Sequence, residues 1–284
     1  MDHTLLTPFG ETVITAPYRT FDPANETVFI APGFTNTSAN TSALVDSLTS
    51  SGYNAFTHDQ PRETPKELEP IDPIDRQAAV TLAVIEREVP EGTKVHALAH
   101  SLGSAAVLRA AIARPELFTS ITINEPVGLN GKRQGIVNLM SRSALKNIKN
   151  VIGARHGQTI ELPKQGYAAR VDIETAKDFR KRTIKAQAAA GKLALKNLKL
   201  TMREARAAGA YEIDRDLEKV TDLGIPVHIL LANKDELFKS KNTYRKVKDI
   251  KATSISSIAD PNAGHDSFWR NPKLTTAIFN SLNQ

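Results

Sequence analysis

The sequence predicts an α/β fold: a mostly parallel central sheet flanked by helices, with a helical cap inserted between two late strands. Two observations carry that expectation. Short apolar runs alternate with stretches of helical spacing from Val28 to Pro126 and again from Ile225 to the end, as in a parallel sheet with right-handed crossovers. Between those two stretches, residues 129–220 hold 20 Lys+Arg against 9 Asp+Glu, a balance of +11, while the remainder of the chain stands at −5. A segment so different from its surroundings has a different task.

The elements follow in order. Leu5-Leu6-Thr7 and Thr12-Val13-Ile14-Thr15 flank a turn at Phe9-Gly10-Glu11 and predict a hairpin. Thr27-Val28-Phe29-Ile30-Ala31 reads as a strand buried on both faces, ended by Pro32-Gly33. Ser38 or Asn40 is the expected cap of a helix running through Leu44, Val45 and Leu48 to a stop at Gly52. Tyr53 to Thr57 is the next strand, and the proline-spaced run from His58 to Pro73 a loop. Helical spacing covers Ile74 to Val89, with apolar positions at Ala78, Val80, Leu82 and Ile85. A strand at Lys94–Ala99 leads into a helix from Gly103 to Arg114, and Thr119–Asn124 is a further strand ended by Pro126.

Residues 136–152 and 173–220 read as helical, the latter with a strand-poor, Ala/Lys/Leu-rich stretch from Ala186 to Ala208. Strand character resumes at Ile225–Leu231. A helix from Leu237 to about Val247, a strand near Thr253–Ile258 and a last helix from about Ser267 to Leu282 complete the pattern. The expected division is a core of residues 1–128 and 221–284 carrying a basic, mainly helical cap of residues 129–220.

Composition narrows the chemistry. The chain has 284 residues, 40% apolar and 24% charged, ordinary for a globular protein with a sizeable core. No stretch approaches the roughly 18 uninterrupted apolar residues of a membrane span. The start, Met1-Asp2-His3-Thr4, lacks a basic region followed by an apolar one, so a cytoplasmic location is expected. The absence of cysteine excludes disulfides, a thiolate nucleophile and cysteine-held metal. Seven scattered histidines without metal-ligand spacing give no expected metal site, and the lack of a glycine-rich phosphate loop leaves no expected cofactor.

The informative segment is Ala99-His100-Ser101-Leu102-Gly103, at a strand end and a helix start. A serine in that tight turn projects its hydroxyl above the carboxyl edge of the sheet. Its neighbours two before and two after must be small, because strand and helix backbones approach closely there. A serine opening a helix is otherwise an N-cap. What favours a nucleophile is the company it keeps: a serine needs a base, and the base an orienting acid. Asp235 follows one strand and His265 the next, so all three belong at one edge, in the chain order Ser, Asp, His. Taken singly, Asp235 is equally a helix cap and His265 an exposed loop residue.

Pro32-Gly33-Phe34, Ala99-His100-Ser101-Leu102-Gly103, Asn233-Lys234-Asp235 and Gly264-His265 together resemble the α/β-hydrolase superfamily, over about residues 25–128 and 221–284. The resemblance implies Ser101 as nucleophile, His265 as general base and then acid, and Asp235 as the orienting acid. It also implies an oxyanion hole formed by the backbone N–H groups of Phe34 and Leu102. Ala99 stands where glycine is commoner, and Pro32 where many members have histidine. Glu125, at the end of the preceding strand, is the alternative acid, and Asp266 reads as a helix cap. His100 and His58 read as local hydrogen-bonding residues. Val127, Leu237, Phe238, Phe268 and Trp269, with Phe34 and Leu102, are candidate pocket residues, equally able to serve as sheet-to-helix packing.

The expected activity is hydrolysis of a small acyl substrate, a carboxylic ester first, with an amide, a thioester or a carbon–carbon bond as alternatives. A non-catalytic hydrolase-like binding protein is the rival from another class. Excess charge in the cap reads as a solvated face, or as a contact for an acidic substrate or an anionic membrane surface. With only Tyr167, Phe179 and Tyr211 among its charges, nucleic acid is not an expected partner.

Overall fold

The computed structural model describes residues 2–17, 21–34, 37–62, 70–129, 158–161, 168–171, 184, 188, 191–192, 194–232, 254–258 and 272–283. In chain order its elements are β1 (Asp2–Thr7), β2 (Gly10–Thr15), β3 (Thr27–Ala31), α1 (Ser38–Ser50), β4 (Asn54–His58), α2 (Pro73–Glu88), β5 (Val95–His100), α3 (Leu102–Ala113) and β6 (Phe118–Asn124). There follow β7 (Gln158–Glu161), β8 (Ala168–Val171), α4 (Leu198–Ala210), α5 (Asp214–Asp222), β9 (Val227–Ala232), β10 (Ser254–Ile258) and α6 (Pro272–Asn283). No helix among the described residues is long and apolar enough to cross a membrane.

Eight strands form one sheet in the order β1-β2-β4-β3-β5-β6-β9-β10. The β1–β2 hairpin joins antiparallel at one edge, and β4 through β10 run parallel. Every residue of β3, β4 and β5 is buried, as parallel strands covered on both faces require. The period of two sorts their side chains. Val28, Ile30, Ala55 and Leu98 meet Leu44, Val45 and Leu48 of α1 and Phe279 of α6 on one face. Phe29, Ala31, Phe56, Ala97 and Ala99 turn to the larger cluster with α2, α3 and α5 on the other.

Most expected elements form within a residue or two of their expected bounds. The cap of α1 differs: Thr37 occupies the N-cap position, and its hydroxyl donates to the Asn40 side chain at 2.9 Å. Ser38 and Asn40 lie within the helix itself. The Asp72 carboxylate caps α2, accepting from the amides of Ile74 and Asp75, and Pro73 supplies the preset first turn. In the basic segment, β7 and β8 pair as an antiparallel hairpin that helical spacing did not foretell. The expected helices over 136–152 and 237–247 fall outside the described residues.

The chain just after β6 and the chain just before α5 meet. Gly128 has a φ of 90°, and a Cβ there would lie 2.8 Å from the Tyr211 carbonyl oxygen and 2.9 Å from the Ile213 amide nitrogen. Only glycine accepts both the left-handed backbone and that approach. From there α5 packs on α3: Arg109 and the Tyr211 hydroxyl both donate to Asp216.

A buried charge cluster fastens α4 to the core. Glu204 accepts from Arg62 at 2.6 Å and from Gln77 at 3.1 Å, with Arg76 Nη1 at 3.9 Å. All three charged side chains are 2% exposed. The Arg62 carbonyl accepts from Asn197, and Arg203 donates to the Ile71 carbonyl. Two guanidiniums thus share one carboxylate, and Arg62 Nε, Arg76 Nε and Arg76 Nη1 make no hydrogen bond. Burial holds the Arg76 pKa down to about 10; Glu204 opposes that shift, and Arg62 and Arg203 add to it. Removing the one carboxylate that the described residues place in this cluster uncovers buried charge, which typically costs about 3–5 kcal/mol. Glu204→Gln therefore lowers stability by about that amount, read as a drop in the urea midpoint of the intact chain.

Candidate active site

Strand pairing sets five strand ends level at one edge of the sheet. Ala31 of β3 is level with Ala99 of β5, His100 of β5 with Asn124 of β6, and Asn124 with Leu230 of β9. Ile258 of β10 is level with Ala232 of β9. The chain therefore leaves β3, β5, β6, β9 and β10 at the same carboxyl end. Phe34, Ser101, Glu125, Asp235 and His265 follow those five ends respectively. Asp235 and His265 lie outside the described residues, as do Leu237, Phe238, Phe268 and Trp269.

Ser101 stands between β5 and α3 with φ 50° and ψ −119°, 6% exposed. A side chain in that region is strained, and such strain persists only where its surroundings enforce it. The enforcing contacts are visible. The Ser101 amide donates to the Asn124 carbonyl at 3.0 Å, tying the turn to β6, and the Ser101 carbonyl accepts from the Ser104 amide at 3.1 Å to begin α3. The hydroxyl makes no capping bond to α3, so the serine is not there as an N-cap. A serine held in this way has the backbone conformation that a nucleophile elbow requires.

Gly103 shows why the turn is so sharp. A Cβ at this position would fall 2.5 Å from the Pro32 carbonyl oxygen and 2.7 Å from that of Ala31. The first turn of α3 is thus pressed against the end of β3, and only hydrogen at position 103 permits it. Position 32 makes this contact through its backbone, so proline there serves as well as another residue would. Phe34, half-buried, follows in the turn after β3. Leu102 opens α3, where the amide has no partner within the helix. The helix end adds partial positive charge beside Ser101.

Glu125 is the other non-glycine residue with positive φ among those described, at 51°. Its side chain is buried, and its amide donates to the Leu230 carbonyl at 3.0 Å. It follows the strand beside that of Ser101, about 4.8 Å across the sheet. Val127, two residues on, is buried in the core cluster with Leu102 and Leu129.

Comparison with known proteins gives the arrangement its family. A family model described as serine aminopeptidase, S33, a hydrolase family, matches residues 22–270. The chain belongs to that family. It is an α/β-hydrolase enzyme. Solved structures agree on the fold. An α/β-hydrolase from a Medee basin deep-sea metagenome library superposes with a TM-score of 0.68 at 13% identity, over 99% of this chain and 98% of that one. A serine hydrolase involved in carbazole degradation gives 0.64 at 18% identity, over 100% and 98%. A carboxylesterase from the thaumarchaeon Nitrososphaera gargenis gives 0.62 at 11%, over 99% and 97%. Among curated proteins none matches.

In this α/β-hydrolase the two histidines near the elbow are both buried. His58, at the end of β4, shares a 3.1 Å hydrogen bond with Gln60 and stacks on Phe29, ring centroids 5.5 Å apart. Burial pushes its pKa down to about 3, so it is a neutral packing residue. Among the described residues no three His, Asp or Glu side chains gather as a metal site would require. The sequence reading missed Arg62, Arg76 and Glu204 as a unit. Glu204 offered one signal, as the single acid among the six cations of residues 184–210.

Gly103→Ala forces α3 away from β3 and loosens the Ser101–Leu102 turn. It lowers stability by about 1–3 kcal/mol, the usual range for overpacking, measured by urea denaturation. His58 makes stability pH-dependent. The unfolded chain takes up its proton near pH 6.5 and the folded one only near 3. This contribution is complete above pH 6.5 and is lost by about 1.4 kcal/mol per pH unit as pH falls through that window. His58→Gln removes this slope, read from unfolding midpoints on either side of pH 6.5.

Proposed function

We propose that the enzyme hydrolyses carboxylic esters through an acyl-enzyme, with Ser101 as nucleophile. The Ser101 oxygen attacks the ester carbonyl while His265 takes its proton, and Asp235 orients the imidazole. The tetrahedral oxyanion accepts from the Phe34 and Leu102 amides, donors placed before the charge appears. Collapse expels the alcohol, which carries the proton returned by His265. Water then attacks the acyl group by the same route, releasing the acid and restoring Ser101.

The observation that carries this reading is the strained φ of Ser101 together with its unused capping role. A serine that merely opened a helix would cap it and have no cause to sit in the left-handed region. The approach at Gly103 supports the same reading, because it brings the Phe34 turn and the start of α3 together. Glu125 is the alternative orienting acid, from the strand end next to Ser101.

A second reading has its own support: the matching family description names an aminopeptidase, and the same machinery cleaves an amide when the leaving amine is protonated. Short p-nitrophenyl esters against aminoacyl p-nitroanilides separate the two. A fluorophosphonate labels Ser101 under either reading and leaves unlabelled a hydrolase-like protein that only binds. Ser101→Ala abolishes the labelling and lowers kcat by on the order of 10⁴–10⁶. Full turnover by that variant would overturn the proposal.

A further inference from the structure

Helix α4 has two unlike faces. Leu200, Thr201, Glu204 and Ala205 are buried, with Glu204 drawn into the core by Arg62. The opposite face shows Leu198 57% exposed and Met202 49% exposed, one turn apart, with Lys199 and Arg206 exposed beside them. Just before the helix, Leu195 is 77% exposed between exposed Lys192 and Lys196, and Ile184 upstream is 62% exposed. Four of the six exposed large apolar residues among those described therefore fall between 184 and 202. Single exposed leucines need no explanation, but Leu198 and Met202 one turn apart on one exposed helix face, with Leu195 just before it, do.

Charge selects the occupant. Residues 184–210 contain six Lys+Arg and one acid, Glu204, and that acid faces inward. Two copies meeting on this face would oppose cation to cation. The segment has no aromatic residue on which nucleotide bases could stack. Leu198 and Met202 stand exposed on α4 itself, with Leu195 exposed just before its first turn. Exposed leucines and a methionine bordered by exposed lysines suit a fluid anionic plane, into which the apolar tips sink while the ammonium groups stay at the headgroups.

We propose that the outer face of α4, with the residues immediately before it, docks on an anionic lipid surface. Glu204 and its arginines hold the helix in place with that face outward. Docking is independent of the ester chemistry, so it survives Ser101→Ala.

Flotation of the intact chain with vesicles tests this. Binding to a phosphatidylcholine–phosphatidylglycerol mixture is expected, with little to phosphatidylcholine alone, and it weakens as salt rises. Lys192→Gln, Lys196→Gln and Lys199→Gln combined lower partitioning on the order of a hundredfold. Leu195→Ser, Leu198→Ser and Met202→Ser combined lower it more than about tenfold. Both variants keep the wild-type melting temperature and the wild-type rate on a short soluble ester. The proposal is overturned if wild type ignores anionic vesicles or the serine variant binds as wild type does. It is equally overturned if polyglutamate is bound as tightly as vesicles. A dimer by light scattering that the serine variant dissolves would assign the face to a second copy instead.

Discussion

The approach of α3 to the end of β3 governs this structure. With the Pro32 and Ala31 carbonyl oxygens where a Cβ of residue 103 would be, the helix must start immediately after β5 and leaves no room for a relaxed turn. Ser101 absorbs the change of direction in one residue, at φ 50°. The same contact sets the Phe34 turn beside the first amides of α3. One steric constraint thus imposes the strain on the serine and brings the two candidate oxyanion donors to neighbouring strand ends. Close packing makes such a constraint discrete, because interiors at crystal density do not yield by small amounts.

The core and the basic segment are joined by a different kind of force. At Gly128 and Tyr211–Ile213 the joint is steric, whereas at Glu204 it is electrostatic and incompletely satisfied. Two guanidiniums around one carboxylate, with three donor atoms left without a hydrogen bond, are a poor source of net stability. They are a strong source of specificity, since any other seating of α4 would leave more charge buried alone. The inward pull on Glu204 also leaves the exposed side of the helix to its cations and apolar residues. The position of one acid thereby sets the character of the outer surface.

Much of the fold could be read along the chain. Strand β3 runs over the residues its apolar pattern marks, and β5, β6, β9 and β10 lie within a residue or two of theirs. Alternation in strands and apolar spacing in helices are local signals, and a buried parallel sheet enforces them on every strand it contains. Thr37 rather than Ser38 stands at the N-cap position of α1, and the Ser38 amide donates to the side chain of Asp59, a partner 21 residues away that local pattern does not reveal. The β7–β8 hairpin escaped because its strands are four residues each and largely polar or alanine, too short for a period of two to stand out.

Sequence by itself determined the order of elements, the small residues flanking Ser101, and the placement of five candidate site residues after five strand ends. These follow from local pattern and from the single direction in which a parallel sheet is wound. Only the tertiary structure decided that Ser101 is strained and does not cap its helix, and that Glu204 meets Arg62, 142 residues away in the chain. A periodic pattern shows that a side chain is turned inward. Which partner it finds there depends on how helices and strands pack in three dimensions, and that packing is long-range.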